Sequence, residues 1–197
     1  MVWEKCLNNY YNYIAIERNL SQNSVESYMR DIKQFSKFNS QTTPLKIKRK
    51  HILDYINHIN EHNISARSQA RILSSIRSLY NFLIFENLIT SDPCKHIHSP
   101  KIGARIPTTL TVQEIDQIIA SIDLSKENGE RNRAIIECLY SCGIRVSELV
   151  TIKISDLLFK EKIIQVTGKG NKQRIVPLSN TLIKYLTNYI DFVRSKQ

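Results

Sequence analysis

Apolar residues recur every three or four positions through the first 85 residues, the spacing of helices that bury one face. Trp3, Leu7, Tyr10, Tyr11 and Ile14 form the first such stripe, predicting a helix to about Arg18. Residues 19–22 break it, and Ser21 is placed to cap a second helix with Val25, Tyr28, Met29, Ile32 and Phe35 inward. A loop ending near Pro44 leads to a third helix on Ile52, Leu53, Ile56 and Ile59. Ser65 opens the longest, whose buried stripe is Ile72, Leu73, Ile76, Leu79, Tyr80, Leu83 and Ile84.

Periodicity then lapses over residues 90–110, where Pro93, Pro100, Gly103 and Pro107 mark a linker. Beyond it, Thr111 and Glu114 have the form of a capping box, with Ile115, Ile118 and Ile119 inward. Residues 131–142 read as a helix on Ile135, Ile136, Leu139 and Tyr140, stopped by Gly143 in a left-handed turn. Residues 146–151 give a short helix. Residues 159–162 and 163–167 are expected to pair as strands, with 174–176 as a third. Ser179 caps a last helix carrying Leu182, Ile183, Leu186, Ile190 and Val193. The expected class is mainly α with a small antiparallel β-sheet (α+β), divided as 1–89, a linker at 90–110, and 111–197.

Charge adds a partner to this outline. Net charge is +10, and residues 1–105 carry 15 Lys/Arg against 8 Asp/Glu, whereas residues 106–197 carry 13 against 10. The excess lies in the first half and suits a polyanion there, or is a basic solvated surface. The polar faces of two helices sharpen the choice. Arg30, Gln34 and Lys37 on the second, and Arg67, Arg71, Ser74 and Ser78 on the fourth, are side chains that suit phosphates and base edges. Spacing alone favours ordinary solvated faces. Lys95, Lys101 and Arg105 continue the basic character into the linker.

Other chemistry is excluded. No apolar run follows a basic start, and no stretch nears the roughly 18 apolar residues of a membrane span. Four scattered cysteines do not make a secreted disulfide framework, so a cytoplasmic location is expected. Cys138 with Cys142, the Cys94, His96, His98 group and the histidines at 51, 58 and 62 lack partner ligands, so no metal and no cofactor is expected.

The sharpest chemistry lies between Leu139 and Leu178, LYSCGIRVSELVTIKISDLLFKEKIIQVTGKGNKQRIVPL. Arg145 follows a helix stop and begins a new turn, where a guanidinium can fork onto phosphate oxygens. Its plainer reading is an ion pair with Glu148, three residues on, and the two are compatible. Lys169 sits between two glycines, either a hairpin tip in solvent or a point charge and proton donor for the same oxyanion. Lys172 and Arg174 lie close by and compete with it. The turn is not a nucleotide-binding loop, which needs G-x-x-x-x-G-K-[ST] before a helix.

GIRVSEL followed by VTGKGNKQRIVPL resembles the tyrosine recombinase (phage integrase) family, most closely its bacterial Xer branch, as do SARSQARILSSIRSLYNFLIFENLI and the linker. The resemblance runs from about Val2 to Arg194. It implies a four-helix, SAM-like amino-terminal domain on double-stranded DNA, a tether that lets two domains clamp the duplex, and a catalytic domain in which Arg145 and Lys169 act. It implies site-specific recombination or integration through a phosphotyrosine bond, with arginines on the non-bridging oxygens and the lysine protonating the leaving 5′ oxygen. Partners would be duplex DNA and further recombinase subunits in a tetramer. The family's His-x-x-Arg, its later His or Trp and its nucleophilic Tyr have no counterpart before Gln197. Tyr185 and Tyr189 are read as packing or surface residues. The chain is therefore expected to be an incomplete recombinase that lacks its nucleophile, with a non-catalytic DNA-binding protein or gene remnant as the alternative.

Overall fold

Each amphipathic stripe of the first half folds as a helix in the computed structural model, which describes residues 1–103 and 107–194 except for the Lys169 side chain. The chain divides into two compact units, Met1–Arg105 and Ile106–Gln197.

In the first unit, α1 spans Trp3–Asn12 and continues as a π-helical turn, Tyr13–Glu17. Then follow α2 (Gln22–Phe38), α3 (Arg49–Glu61) and α4 (Ala66–Phe85). Tyr10, Ile14, Ile32, Phe35, Ile52, Leu73, Ile76, Leu79, Tyr80 and Leu83 make one core among the four. Ser65 caps α4 by accepting from the Ser68 amide at 3.3 Å. Ser21 holds the cap position of α2, but its hydroxyl meets that of Ser24 rather than a backbone amide. The stripes are narrower than their spacing implied. Tyr11, 48% exposed, and Leu53, 37% exposed, lie at the edge, and Tyr55 is buried instead. Cys94 and Ile97, in the stretch read as linker, are buried against this unit. Arg105 lies outside the described residues.

This unit turns its corners without glycine, because residues 1–102 contain none. Asn19, Asn63 and Asn87 adopt left-handed conformations at φ 45°, 56° and 55°. After each, the next amide closes a wide loop onto the helix: Leu20 to Ile14, Ile64 to Ile59 and Leu88 to Leu83. The apolar residue after the turn is what such a cap favours.

The second unit holds α5 (Val112–Ala120), α6 (Gly129–Cys142), α7 (Val146–Leu149), and strands β1 (Leu157–Leu158), β2 (Ile163–Thr167) and β3 (Gln173–Pro177). Helix α8 (Asn180–Asn188) ends it in a π-helical turn, Tyr189–Val193. The sheet is antiparallel in the order β1-β2-β3. Its first strand comes earlier than expected. Residues 159–162 are the turn, with Lys162 at φ 53°, and Leu157 and Leu158 pair with Ile164 and Ile163. Thr111 and Ser179 cap α5 and α8 as their sequences indicate, and Gly143 ends α6 at φ 57°. Cys138, Ile144, Ile164, Val166, Leu178 and Leu182 form the core, with Leu139, Leu149 and Leu186 packed against it. Ile118 and Tyr140, expected inward, are 38% and 44% exposed.

Candidate phosphate site and nucleic-acid face

Glu148 is the centre of the second unit's polar chemistry. It lies on α7, four per cent exposed, and takes four hydrogen bonds. Its Oε1 accepts from Arg145 Nη1 and Arg174 Nη1, each at 2.9 Å. Its Oε2 accepts from the Arg145 amide and Arg174 Nη2, each at 2.8 Å. A carboxylate offers about four lone-pair sites, so this one is saturated. The fork from Arg174 first, then the Arg145 amide, holds the Glu148 carboxyl far below the usual carboxylate range.

Local sequence builds half of this. Gly143 stops α6, Ile144 is buried, and Arg145 takes extended backbone at the start of α7. Glu148 then reaches back to the Arg145 amide, as the third residue of a capping box does. The other half is tertiary. Arg174 stands opposite Val166 in the β2–β3 register, and directly opposed residues share a face. Val166 is buried, so Arg174 leaves the sheet on its core side and meets Glu148. Gly168 permits the close approach, since a Cβ there would lie 3.1 Å from Glu148 Oε1 and 3.2 Å from Arg174 Nη1.

Two guanidiniums on one carboxylate leave a net charge of about +1 with outward donors. Arg145 keeps 71% of its side chain exposed, and Arg174 keeps 40%. The pairing of Arg145 with Glu148 therefore orients the guanidinium without consuming it. Lys169 begins the turn between β2 and β3, where the Gly168 amide donates to Lys172 O at 2.7 Å. Its side chain lies outside the described residues. Arg174, which the sequence offered only as a nearby competitor of Lys169, is the residue that joins Arg145 on Glu148. Its one signal was a lone charge in a strand of otherwise neutral residues.

In the first unit, Arg30, Gln34 and Lys37 are exposed and line one groove with Lys33, Tyr11 and Met29. Arg67 and Ser74 are exposed and Ser78 is half-buried. Arg71 differs from its neighbours, because its Nη1 donates to buried Asp31 and, at 3.2 Å, to Ser27 Oγ. Ser75 Oγ donates to the same Asp31 oxygen at 2.8 Å. These bonds seam α2 to α4. At 100° per residue, Arg67, Ser74 and Ser78 fall within about 60° of Arg71. Gln34, Arg30 and Lys37 fall within about 120° of Asp31, also on the solvent side of the seam. Among the described residues, no group of three or more His, Cys, Asp or Glu is arranged to hold a metal ion. No helix among them is long and apolar enough to cross a membrane.

Known proteins resemble this chain in sequence and in fold. Residues 7–87 match the family described as phage integrase, N-terminal SAM-like domain, and residues 108–197 match the phage integrase family. The tyrosine recombinase XerD of Staphylococcus haemolyticus is 38% identical over 196 residues, covering 98% of this chain and 66% of its own length. The chain belongs to the tyrosine recombinase (phage integrase) family. The XerD tyrosine recombinase of Staphylococcus aureus is 36% identical over 194 residues, with 97% and 66% covered. The chain thus spans about two thirds of the length of these recombinases. In fold it is similar to a lambda integrase dimer bound to a COC′ core site, with a TM-score of 0.77 at 21% identity over 98% of this chain and 55% of that one. The Tn1549 transposon integrase in complex with circular intermediate DNA gives a TM-score of 0.68 at 17% identity, over 95% and 64% of the two chains. The mainly helical class with a small antiparallel sheet is therefore that of tyrosine recombinases.

Proposed function

We propose that this chain carries the DNA-binding domain and the opening part of the catalytic domain of a Xer-type site-specific recombinase. The observation that supports it best is the Arg145–Glu148–Arg174 cluster, a preorganised cationic site beside the turn that carries Lys169. Residues 1–89 bind duplex DNA through Arg30, Gln34, Lys37, Arg67, Arg71, Ser74 and Ser78. Residues 90–110 tether them to the catalytic part in 111–197. The protein works in the cytoplasm, with further recombinase subunits, and takes no metal or nucleotide.

In this reading Arg145 binds the non-bridging oxygens of one backbone phosphate and stabilises their charge as phosphorus becomes five-coordinate. A tyrosine oxygen bonds to phosphorus, the bond to the 5′ oxygen breaks, and Lys169 gives that oxygen its proton. The phosphotyrosine retains the bond energy, so rejoining needs no external supply. Glu148 and Arg174 keep Arg145 in place. In this reading the tyrosine and the His-x-x-Arg come from the remaining third of a full-length recombinase such as XerD.

The test joins this chain to that remaining third of staphylococcal XerD and offers it a nicked suicide duplex bearing the staphylococcal recombination site. A covalent protein–DNA adduct is expected, and Arg145→Ala should abolish it. Adduct formation that survives Arg145→Ala would remove Arg145 from the reaction. The unfused chain should retard the duplex in a gel and form no adduct.

A further inference from the structure

We infer that Asp31 is a positioning residue for DNA binding: it clamps one edge of the Arg71 guanidinium so that the other edge faces a backbone phosphate. This rests on the proposed DNA-binding role of the first unit.

Asp31 is one per cent exposed, an unusual place for a carboxylate on an otherwise apolar helix face. Two donors converge on its Oδ2, Arg71 Nη1 and Ser75 Oγ, both from α4. Arg71 Nη1 also donates to Ser27 Oγ. One nitrogen of the guanidinium therefore makes all of its hydrogen bonds among the described residues. Nε and Nη2 make none, and 40% of the side chain is open to solvent. Because the guanidinium is planar, fixing Nη1 at two points fixes the direction of the free edge as well. That edge emerges on the solvent side of the α2–α4 seam, the side that carries Arg67 and Ser74 of α4 and Gln34 of α2. A flexible arginine loses entropy when it binds phosphate, and one already held loses less.

The sign of the effect separates this from simple electrostatics. Removing a negative charge beside a DNA-binding surface ordinarily tightens binding. Here Asp31→Ala should weaken it, because Arg71 is released from its orientation.

The measurement is fluorescence anisotropy of a labelled duplex titrated with the full chain at several salt concentrations. Trp3 fluorescence verifies that the first unit is folded. Each phosphate contact contributes about 0.9 to the slope of log K against log salt. Arg71→Ala should lower the slope by about that amount. Asp31→Ala should weaken binding about tenfold and add nothing in the Arg71→Ala background. Asp31→Asn, whose oxygen can accept from both donors, should stay within about threefold of wild type. Should Asp31→Ala not fold, Arg71→Lys serves instead. It keeps the charge and can pair with Asp31, but a single ammonium cannot also present a fixed outward edge, so it should lose the contact as Arg71→Ala does. The inference is overturned if Asp31→Ala tightens binding, if its effect adds to that of Arg71→Ala, or if Arg71→Lys binds like wild type. A wild-type chain with no salt-dependent affinity for duplex DNA would instead overturn the DNA-binding reading on which this one stands.

Discussion

Helix α6, which delivers the chain to Arg145, begins and ends on a glycine, and the two are needed for different reasons. At Gly143 a Cβ would meet nothing within 4 Å, but the backbone is left-handed at φ 57°. Gly143→Ala therefore costs backbone strain alone, about 1–2 kcal/mol. At Gly129 the φ lies outside the left-handed region, but a Cβ would collide with Asp123 O and lie 2.7 Å from Leu124 Cα. Both are backbone atoms and cannot swing aside. Gly129→Ala should cost about 1–3 kcal/mol through overpacking. Asparagine separates the causes, since it tolerates left-handed backbone but is larger than alanine. Gly143→Asn should recover about half of the loss seen with alanine, and Gly129→Asn should be at least as damaging as Gly129→Ala. Urea unfolding followed by circular dichroism at 222 nm reads all four variants. A slope near 1 kcal/mol per molar urea turns 1–2 kcal/mol into a midpoint shift of about 1–2 M. Equal losses for Ala and Asn at 143, or a harmless Ala at 129, would refute the assignment.

Two further outcomes follow from titrating groups. Glu148 has its folded pKa depressed by Arg174 and by the Arg145 amide, so its stabilisation is complete above the unfolded value near 4.3 and is lost as pH falls below it. Acid unfolding should therefore have a shallower limb in Glu148→Gln; an unchanged limb would show that this carboxylate is not linked to folding. Among the thiols, burial pushes Cys6 and Cys94 up to about 12. Interaction between the neighbouring Cys138 and Cys142 thiols raises Cys138 and lowers half-buried Cys142. Iodoacetamide at pH 8 should label Cys142 first, as read by peptide mass spectrometry, and a first adduct on another cysteine contradicts this.

What the sequence disclosed was local. The caps at Ser65, Thr111 and Ser179, the stop at Gly143 and the Arg145–Glu148 spacing all lie within four residues of their partners, where helix geometry fixes the answer. Arg174 is 26 residues from Glu148, and Asp31 is 40 from Arg71, so neither pairing has a period to betray it. The same limit explains Tyr11, Leu53 and Tyr140. Their stripe positions are correct, but how wide a face each helix buries depends on its neighbours. The strand error at 159–162 has a turn as its cause: Lys162 took a left-handed backbone that its residue type does not announce.

The three asparagine corners of the first unit have a consequence for tuning the protein. Each holds a side-chain-bearing residue in a conformation that glycine adopts more cheaply. The unit thus keeps unused thermodynamic headroom at its exposed rim, at positions that are themselves neither Asp31 nor members of the basic rows. Exchanging these asparagines would be a route to a hardier protein that leaves its recognition chemistry as it is.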